Sequence, residues 1–149
     1  MSNITIRPAT SDDYPAVVRM IQDLAAHAGA PNRPKVTIET LETDGPSGND
    51  RFRILVAELN SSNVGLCLYT FAFSGWLGKT GLFIEDLYVD PSVRSQGVGQ
   101  ALLKSAIEIE GAGFLKLEVA QANEKAVAFY RKAGFEIWDG EILMVRDNA

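Results

Sequence analysis

The first third of the chain has the pattern of one strand followed by two helices. Residues 4–8 alternate apolar and polar side chains, which predicts a β-strand. Residues 10–13 then offer a helix-capping sequence, and apolar residues recur at helical spacing until Gly29. After a proline-containing loop, residues 36–41 predict a short second helix with Thr37 as its cap.

The middle of the chain has the pattern of strands around one helix. Residues 52–59 and 64–73 are apolar runs separated by a polar turn, which predicts a hairpin. Residues 82–89 predict a third strand, residues 97–110 a helix and residues 114–119 another strand. Because a strand-helix-strand crossover joins parallel strands, we expect a parallel pair with a right-handed connection here.

The last part of the chain predicts a helix and a hairpin. Asn123 can cap a helix that runs through Ala133, with Gly134 as its C-terminal glycine. Residues 135–145 have the pattern of two short strands around Asp139 and Gly140, a pair that favours a tight turn. The predicted order is β α α β β β α β α β β, without an internal repeat, which is typical of a mixed α/β fold.

Length and charge narrow the class of protein. A chain of 149 residues has the size of one domain, so we predict a single domain over residues 1–149. The net charge of −5 argues against nucleic acid as a partner. No apolar run approaches the roughly 18 residues of a membrane span, and the N-terminus lacks the pattern of a secretory signal. We therefore expect a cytoplasmic protein without a membrane partner.

Cysteine and histidine are too scarce for several common kinds of site. Cys67 is the only cysteine and His27 the only histidine, which removes the usual zinc sites, so we expect no metal. A catalytic triad would have a single candidate imidazole, and His27 lies where it can instead cap a helix C-terminus. Cys67 lies within a predicted strand and fits a buried side chain better than a nucleophile.

The first candidate for chemistry is the glycine-containing segment at residues 94–99, between a predicted strand and a helix. Gly97 and Gly99 let backbone amides approach a ligand, and the helix N-terminus favours phosphate oxygens. Arg94 adds positive charge. Neither the P-loop nor the dinucleotide-binding pattern matches. The alternative is a plain helix-capping loop.

The second candidate is the pair Glu85 and Asp86 within the strand predicted over residues 82–89. Because side chains alternate along a strand, the two carboxylates are expected to point to opposite faces. Apolar neighbours raise the pKa of a carboxyl group, which makes it a plausible general base. The alternative is that both groups lie near a strand end and bond to water or backbone.

The third candidate is Tyr130. It lies seven residues after Asn123, about two helical turns, so both can border one side of the predicted helix. A tyrosine hydroxyl can donate a proton to a leaving group. The alternative is an aromatic side chain of the core.

Together these motifs resemble the GNAT acetyltransferase superfamily, over about residues 4–145. Its acetyl-CoA motif, Q/R-x-x-G-x-G/A, and its later signature are matched by Arg94, Gly97 and Gly99, and by Asn123, Phe129, Tyr130, Gly134 and Phe135. The resemblance implies an α/β domain with a central mixed, mostly antiparallel sheet flanked by about four helices. A parallel strand pair would be joined by the CoA-binding helix.

The resemblance also implies acetyl-CoA as co-substrate. Its pyrophosphate would bind the amides of residues 95–100, and its pantetheine would follow the backbone of residues 87–89. The expected acetyl-CoA-binding residues are Leu87, Tyr88, Val89, Arg94, Ser95, Gln96, Gly97, Val98, Gly99, Gln100, Asn123, Ala126 and Tyr130.

Residues 75–79 and 82–89 look like the diamine (spermidine/spermine) and thialysine acetyltransferase branch of that superfamily. In that branch, the carboxylate matching Glu85 is a proposed base, acting directly or through water. The tyrosine matching Tyr130 protonates the departing CoA thiolate. Trp76, Glu85 and Asp86 would receive a cationic amine.

The resemblance therefore implies an acetyl-CoA-dependent N-acetyltransferase that acts by direct attack on a small cationic acceptor, either a polyamine or diamine or a lysine-like amine. Residues 29–35 lack the acidic and aromatic side chains expected to hold a polyamine. An acetyltransferase for peptide or protein amines and a catalytically silent acyl-CoA-binding sensor are the alternatives. Family members often form homodimers, so we expect a homodimer.

Overall fold

The structure is a computed structural model that describes residues 3–148. These residues form two compact units, one up to Glu118 and one from Val119 onward, and each is described by itself. Residues 1, 2 and 149 of the predicted domain lie outside the described residues, and the single domain over 1–149 stays a prediction.

Residues 3–148 contain five β-strands and four α-helices. The strands are β1 (Thr5–Pro8), β2 (Arg53–Leu59), β3 (Ser62–Ser74), β4 (Lys79–Val89) and β5 (Leu115–Leu117). The helices are α1 (Tyr14–His27), α2 (Ile38–Asp44), α3 (Val98–Glu110) and α4 (Glu124–Lys132). Across the same residues, no helix is long and apolar enough to cross a membrane.

The strands form one sheet in the order β1-β2-β3-β4-β5. The first three pairings are antiparallel and the last, between β4 and β5, is parallel. Helix α3 connects the two parallel strands, as a parallel pairing requires a crossover. The prediction of a mixed, mostly antiparallel sheet with one parallel pair joined by a helix is confirmed.

Two glycines allow β5 to approach β4 closely. The amide of Gly113 donates to the carbonyl of Thr80 (2.9 Å), and the amide of Leu82 donates to the carbonyl of Phe114 (3.0 Å). A Cβ atom on Gly81 would overlap Phe114, and one on Gly113 would lie 3.0 Å from the carbonyl oxygen of Thr80. The parallel pairing of β4 and β5 therefore begins at two glycines, because the absence of their side chains lets the two backbones approach each other.

Helices cover both faces of the sheet. On the face we call the α1 face, Val17 and Met20 of α1 pack with Leu66, Leu68 and Tyr88 of the sheet. On the opposite face, the α3 face, helix α3 contacts the first four strands. Because helices cover both faces here, residues 54–57 of β2 and 64–69 of β3 are buried continuously rather than at alternate positions.

The predicted caps of α2 and α4 are confirmed. Thr37 and Thr40 exchange hydrogen bonds between side chain and backbone at the start of α2, with lengths of 2.9 and 3.1 Å. The side-chain oxygen of Asn123 accepts from the amide of Ala126 at the start of α4 (3.2 Å). Each cap satisfies amides that a helix N-terminus leaves without a partner.

A nearly buried ion pair joins β1 to the start of α1. Asp13 is only 6% exposed, and its two carboxylate oxygens accept from the guanidinium of Arg7 at 2.7 and 2.9 Å. The amide of Thr10 (2.8 Å) and the side chain of Asn63 (3.0 Å) also donate to it. The hydrogen bond from Arg7 is the main reason that the pKa of the Asp13 carboxyl lies well below its usual range.

The prediction of two strands in a C-terminal hairpin is wrong. Asp139 and Gly140 form a turn, and Gly140 has a φ of 89°, but residues 135–148 contain no strand. The apolar side chains after the turn are exposed, with Ile142 at 84% and Met144 at 83%. An isolated two-stranded hairpin is marginal in water, so an alternating sequence alone does not produce one.

We predict that Asp13→Asn lowers the free energy of unfolding by about 2–4 kcal/mol, because a nearly buried ion pair loses one partner. Asp13 has a lowered pKa in the folded state. Its stabilising contribution is therefore complete above its ordinary pKa of about 4 and is lost as the pH falls from there toward the folded-state pKa. Urea unfolding between pH 7 and pH 2 measures both effects.

The matched control for this experiment is Asp12→Asn, because Asp12 is the exposed neighbour of the nearly buried Asp13. The control should keep the acid dependence of the wild type. An Asp13→Asn protein with an unchanged midpoint and an unchanged loss of stability in acid would contradict the role given to this ion pair.

Candidate active site

Glu85 occupies a β-bulge in β4. Ile84 pairs with Tyr69 and Asp86 with Leu68, so Glu85 is an extra residue without a partner in β3. Leu68 belongs to the core of the α1 face, whereas the hydroxyl of Tyr69 bonds to helix α3. A bulge interrupts the alternation of side chains. The regular alternation is therefore interrupted at Glu85, and the opposite faces expected for Glu85 and Asp86 stay a prediction.

The bulge lies at the point where β4 and β5 separate. The parallel pairing covers three residue pairs and ends with Ile84 and Leu117. Strand β4 continues to Val89, and within residues 3–148 no strand pairs with this part of its edge. Neighbouring strands lie about 4.8 Å apart, so Glu85 and Glu118 follow the last pair as adjacent positions. No strand of the described residues pairs with the backbone edge of residues 87–89, where the carbonyl of Val89 accepts from Arg94.

Several negative charges meet at this opening. Burial is the main reason that the pKa of Glu85 is raised, and the charges of Asp86 and Glu118 raise it further. Burial also raises the pKa of Asp86. These shifts favour a carboxyl group that accepts a proton more readily than an ordinary glutamate.

Glu118 was missed by the sequence analysis. It follows the short strand β5, and its importance depends on the register that places it beside Glu85. The parallel pairing of residues 82–89 and 114–119 was predicted, but a sequence does not fix which residues of the two strands are opposite one another. Listing the acidic residues at the ends of both strands would have included it.

A cavity of about 360 Å³ opens on the α1 face beside β4. Its volume is within the range of small-molecule sites, roughly 300–1,000 Å³. Most of the lining is apolar, and the two charged side chains in it have opposite signs. The lining residues are Ile21, Leu24, Ala25, Ala28, Arg33, Pro34 and Asp86.

The segment predicted to bind phosphate presents a run of unpaired amides. Within the described part of the chain, none of the six backbone N–H groups of residues 95–100 donates a hydrogen bond. Ser95 and Gly97 have positive φ values of 67° and 78°, which turn the chain into helix α3. The Nε of Arg94 donates to the carbonyl of Val89 (2.9 Å) and ties this loop to the end of β4. The arrangement suits an anion.

The second unit contains Asn123, Ala126 and Tyr130. Asn123 uses its side-chain oxygen to cap α4 through the amide of Ala126. The half-buried ring of Tyr130 lies edge-to-face with Phe129 and Phe135, at centroid distances of 5.2 and 5.4 Å. These contacts fix the position of the ring within this unit.

Trp76 and Tyr88 lie in quite different surroundings. Trp76 is 98% exposed in the turn that joins β3 to β4. The seven residue steps along β4 from Lys79 to Asp86 correspond to roughly 20 Å, so one copy of the chain does not bring Trp76 to the carboxylates. The side chain of Tyr88 belongs to the core of the α1 face, which leaves only its backbone for a ligand.

Neither Cys67 nor His27 has the surroundings of a catalytic group. Cys67 is fully buried, and burial, followed by the charge of Asp86, raises its thiol pKa to about 12. The Nδ1–H of His27 donates to the carbonyl of Asp23 (2.7 Å) in the last turn of α1. The structural interpretation of both residues agrees with these contacts.

Comparison with known proteins decides the family. The sequence profile of the acetyltransferase (GNAT) family matches residues 18–135. The chain belongs to the GNAT acetyltransferase family. It is an N-acetyltransferase, and the resemblance seen in its motifs is confirmed.

Similar proteins support the branch as well. The thialysine N-epsilon-acetyltransferase of Sus scrofa is 34% identical over 145 residues, which cover 90% of this chain and 85% of that protein. The spermidine/spermine N(1)-acetyltransferase-like protein 1 of Homo sapiens is 33% identical over 116 residues, 73% of this chain and 16% of that protein. Both support the resemblance of this GNAT protein to the diamine and thialysine branch.

A solved structure shows the same fold. An aminoglycoside acetyltransferase from an uncultured soil metagenomic sample, in complex with sisomicin, has a TM-score of 0.77 and 19% identity over 97% of each chain. At this identity the likeness concerns the fold alone.

Proposed function

We propose that this GNAT protein transfers an acetyl group from acetyl-CoA to the primary amine of a small cationic acceptor, a polyamine, diamine or lysine-like amine. The observation that carries the proposal is the bulge at Glu85, located where β4 loses its parallel partner. At this point a carboxylate of raised pKa, an open backbone edge and a cavity all lie on one strand.

The unpaired amides support acetyl-CoA as the co-substrate. Its pyrophosphate fits the N–H groups of residues 95–100 and the positive end of α3. Its pantetheine carries amide groups, which suit the edge of residues 87–89, where no described strand pairs with β4 between that loop and the bulge. Asn123, Ala126 and Tyr130 are proposed as further contacts because they lie in the family signature.

Glu85 is proposed as the general base. An alkylamine with a pKa near 10.4 is mostly protonated at neutral pH and cannot attack until it loses a proton. Glu85, directly or through water, takes that proton. The amine then forms a C–N bond to the acetyl carbonyl carbon as the C–S bond of the thioester breaks. No acyl-enzyme is needed, and the buried Cys67 is unsuited to form one.

Tyr130 is proposed as the general acid that protonates the departing CoA thiolate. Support comes from the family signature that contains it and from its ring, which is held between Phe129 and Phe135. A positioned phenol supplies a proton at the moment when the sulfur becomes negatively charged.

The acceptor is proposed to occupy the cavity beside β4. Asp86 lines this cavity and offers a negative charge to an ammonium group, while the walls from α1 suit a methylene chain. The proposed acceptor site therefore rests on Asp86 in the cavity lining and on the adjacent Glu85, which lies outside that lining, and does not include Trp76.

A homodimer is proposed together with this activity. The side chains of residues 137–145 include six large apolar groups that are exposed in the single chain. Such a concentration is typical of a surface that another chain covers. We expect these residues to lie in the contact between two copies, which the mass of the protein in solution will test.

The proposed function predicts turnover of free amines. CoA-thiol release from acetyl-CoA should be measured with spermidine, spermine, putrescine, thialysine, lysine and lysine-containing peptides. At least one free amine should be turned over more efficiently than every peptide, because the acceptor cavity has the size of a small-molecule site. Turnover of peptides alone would overturn the small-acceptor proposal in favour of a peptide or protein acetyltransferase.

Tyr130→Phe should reduce kcat by about 100-fold or more, the usual size of a general-acid contribution. The affinity for acetyl-CoA, measured by calorimetry, should change little because only one hydroxyl is removed. Tyr14→Phe, which removes a hydroxyl from the core of the first unit, is the matched control and should keep the wild-type rate. Unchanged turnover of the Tyr130 variant would exclude it as the acid.

Glu85→Gln should depress the rate most at low pH, where few acceptor amines are free of their proton. The deficit should narrow as the pH approaches the pKa of the amine, since less deprotonation is then required.

Glu118→Gln should lower the pKa of Glu85, because it removes a negative charge that raises it. The acid limb of kcat/KM should then move to lower pH.

Glu108→Gln, on the exposed side of α3, is the control for the loss of a carboxylate and should leave the pH profile unchanged. A Glu85→Gln profile parallel to that of the wild type would exclude Glu85 as the base.

A further inference from the structure

The acceptor cavity has a cation as well as an anion in its lining. Arg33 and Asp86 both line it, and the remaining lining residues are apolar. No ion pair joins the two, since every pair within 4.0 Å in residues 3–148 involves other residues. The cavity therefore presents two separate charges of opposite sign to whatever enters it.

Neither charged group has a protein partner in the described residues. The side chains of Arg33 and Asp86 form no hydrogen bond and no ion pair with other residues. This differs from Arg7 and Arg53, each of which is paired with a carboxylate. A guanidinium without a protein partner, at the wall of a cavity, is available to an anionic group of a ligand.

The backbone around Arg33 is held in place. The amide of Arg33 donates to the carbonyl of Ala30 (3.2 Å). Pro31 and Pro34 are close to it on both sides, and proline restricts its own φ as well as the conformation of the residue before it. Pro34 itself lines the cavity. The guanidinium is thus carried by a restrained loop next to the acceptor.

The two charges discriminate between classes of acceptor. A polyamine that places one ammonium at Asp86 has further ammonium groups, and a second one near Arg33 would be repelled. An amine that carries a carboxylate at its other end would be attracted at both ends, with the guanidinium able to hold the carboxylate through two hydrogen bonds. The apolar side chains between the charges suit the methylene chain that connects amine and carboxylate.

We propose that Arg33 is a specificity-determining residue that selects amines bearing a carboxylate remote from the reacting nitrogen, so that the acceptor is a lysine-like amino acid and not a polyamine. The inference rests on the proposed function and narrows its acceptor class. The amine is oriented toward Glu85 and Asp86, and the carboxylate toward Arg33.

The test compares acceptors that differ only in the carboxylate. L-Lysine, L-lysinamide and cadaverine have the same amine-bearing chain, and only lysine carries the negative charge. Wild-type protein should show a kcat/KM for lysine about tenfold or more above that for cadaverine, as expected for one charge-assisted interaction near the surface. Lysinamide should behave like cadaverine.

Arg33→Gln should remove most of this preference through a higher KM for lysine, with kcat nearly unchanged and little effect on cadaverine. Arg33→Glu should reverse the preference. Lys35→Gln is the matched control, because Lys35 is an exposed cation of the same loop that does not line the cavity. The control should keep the wild-type ratio of lysine to cadaverine.

Two outcomes would overturn the inference. The first is a wild-type preference for cadaverine or spermidine, and the second is a lysine-to-cadaverine ratio that Arg33→Gln does not change. Either outcome would leave the proposed N-acetyltransfer to small amines intact. If no free amine is turned over, the proposed function fails instead. Calorimetric binding of lysine and cadaverine to the wild type and to Arg33→Gln then tests Arg33 independently. Equal affinities of the two proteins for lysine would overturn its role.

Discussion

The parallel pairing between β4 and β5 stops after three residue pairs. This early end determines where the sheet can bind another molecule through its backbone. Backbone N–H and C=O groups in the interior of a protein need partners, so a strand edge that loses its neighbour must be completed by water or by another molecule. Here β5 pairs with β4 as far as Ile84, and no strand of the described residues pairs with the rest of that edge. An extended molecule with amide groups can make the bonds that a sixth strand would make. The same gap explains why the bulge, the carboxylates and the anion-binding loop occur together.

The crossover helix connects this part of β4 to residues 95–100, the loop proposed to bind an anion. Because β4 and β5 are parallel, the chain must return over the sheet, and α3 starts after only the short segment of residues 90–97 that follows β4. The positive end of α3 is therefore fixed beside the open edge by topology alone. Gly65 contributes to the packing underneath, since a Cβ atom there would lie 3.4 Å from Leu102 of α3 and 3.0 Å from the carbonyl of Tyr88.

Local sequence patterns predicted most elements, whereas features that depend on register were missed. The caps at Thr37 and Asn123 use side chains a few residues from the amides they satisfy, so they can be recognised in sequence. The bulge at Glu85 and the closeness of Glu118 depend on how separate strands align. The ion pair of Arg7 and Asp13 was likewise not predicted, although it spans only six residues, because the capping pattern already gave Asp13 a role.

The C-terminal segment shows the opposite error, because a local pattern predicted two strands that do not form. Residues 135–145 alternate as a hairpin does, and the turn itself forms. Strands need burial as well as alternation, and the apolar residues of this segment are exposed in the single chain.

The two sides of the sheet carry different parts of the proposed site. The anion-binding loop begins the helix of the α3 face, whereas the acceptor cavity is walled by α1 and by the loop that follows it. Strand β4 takes part in both. Substitutions in α1 and its loop can therefore change the acceptor without disturbing the packing that positions the donor. This separation makes the scaffold open to evolutionary change, since a lineage can acquire a new acceptor through a few changes in α1 and its loop while the loop proposed to bind the donor is unchanged.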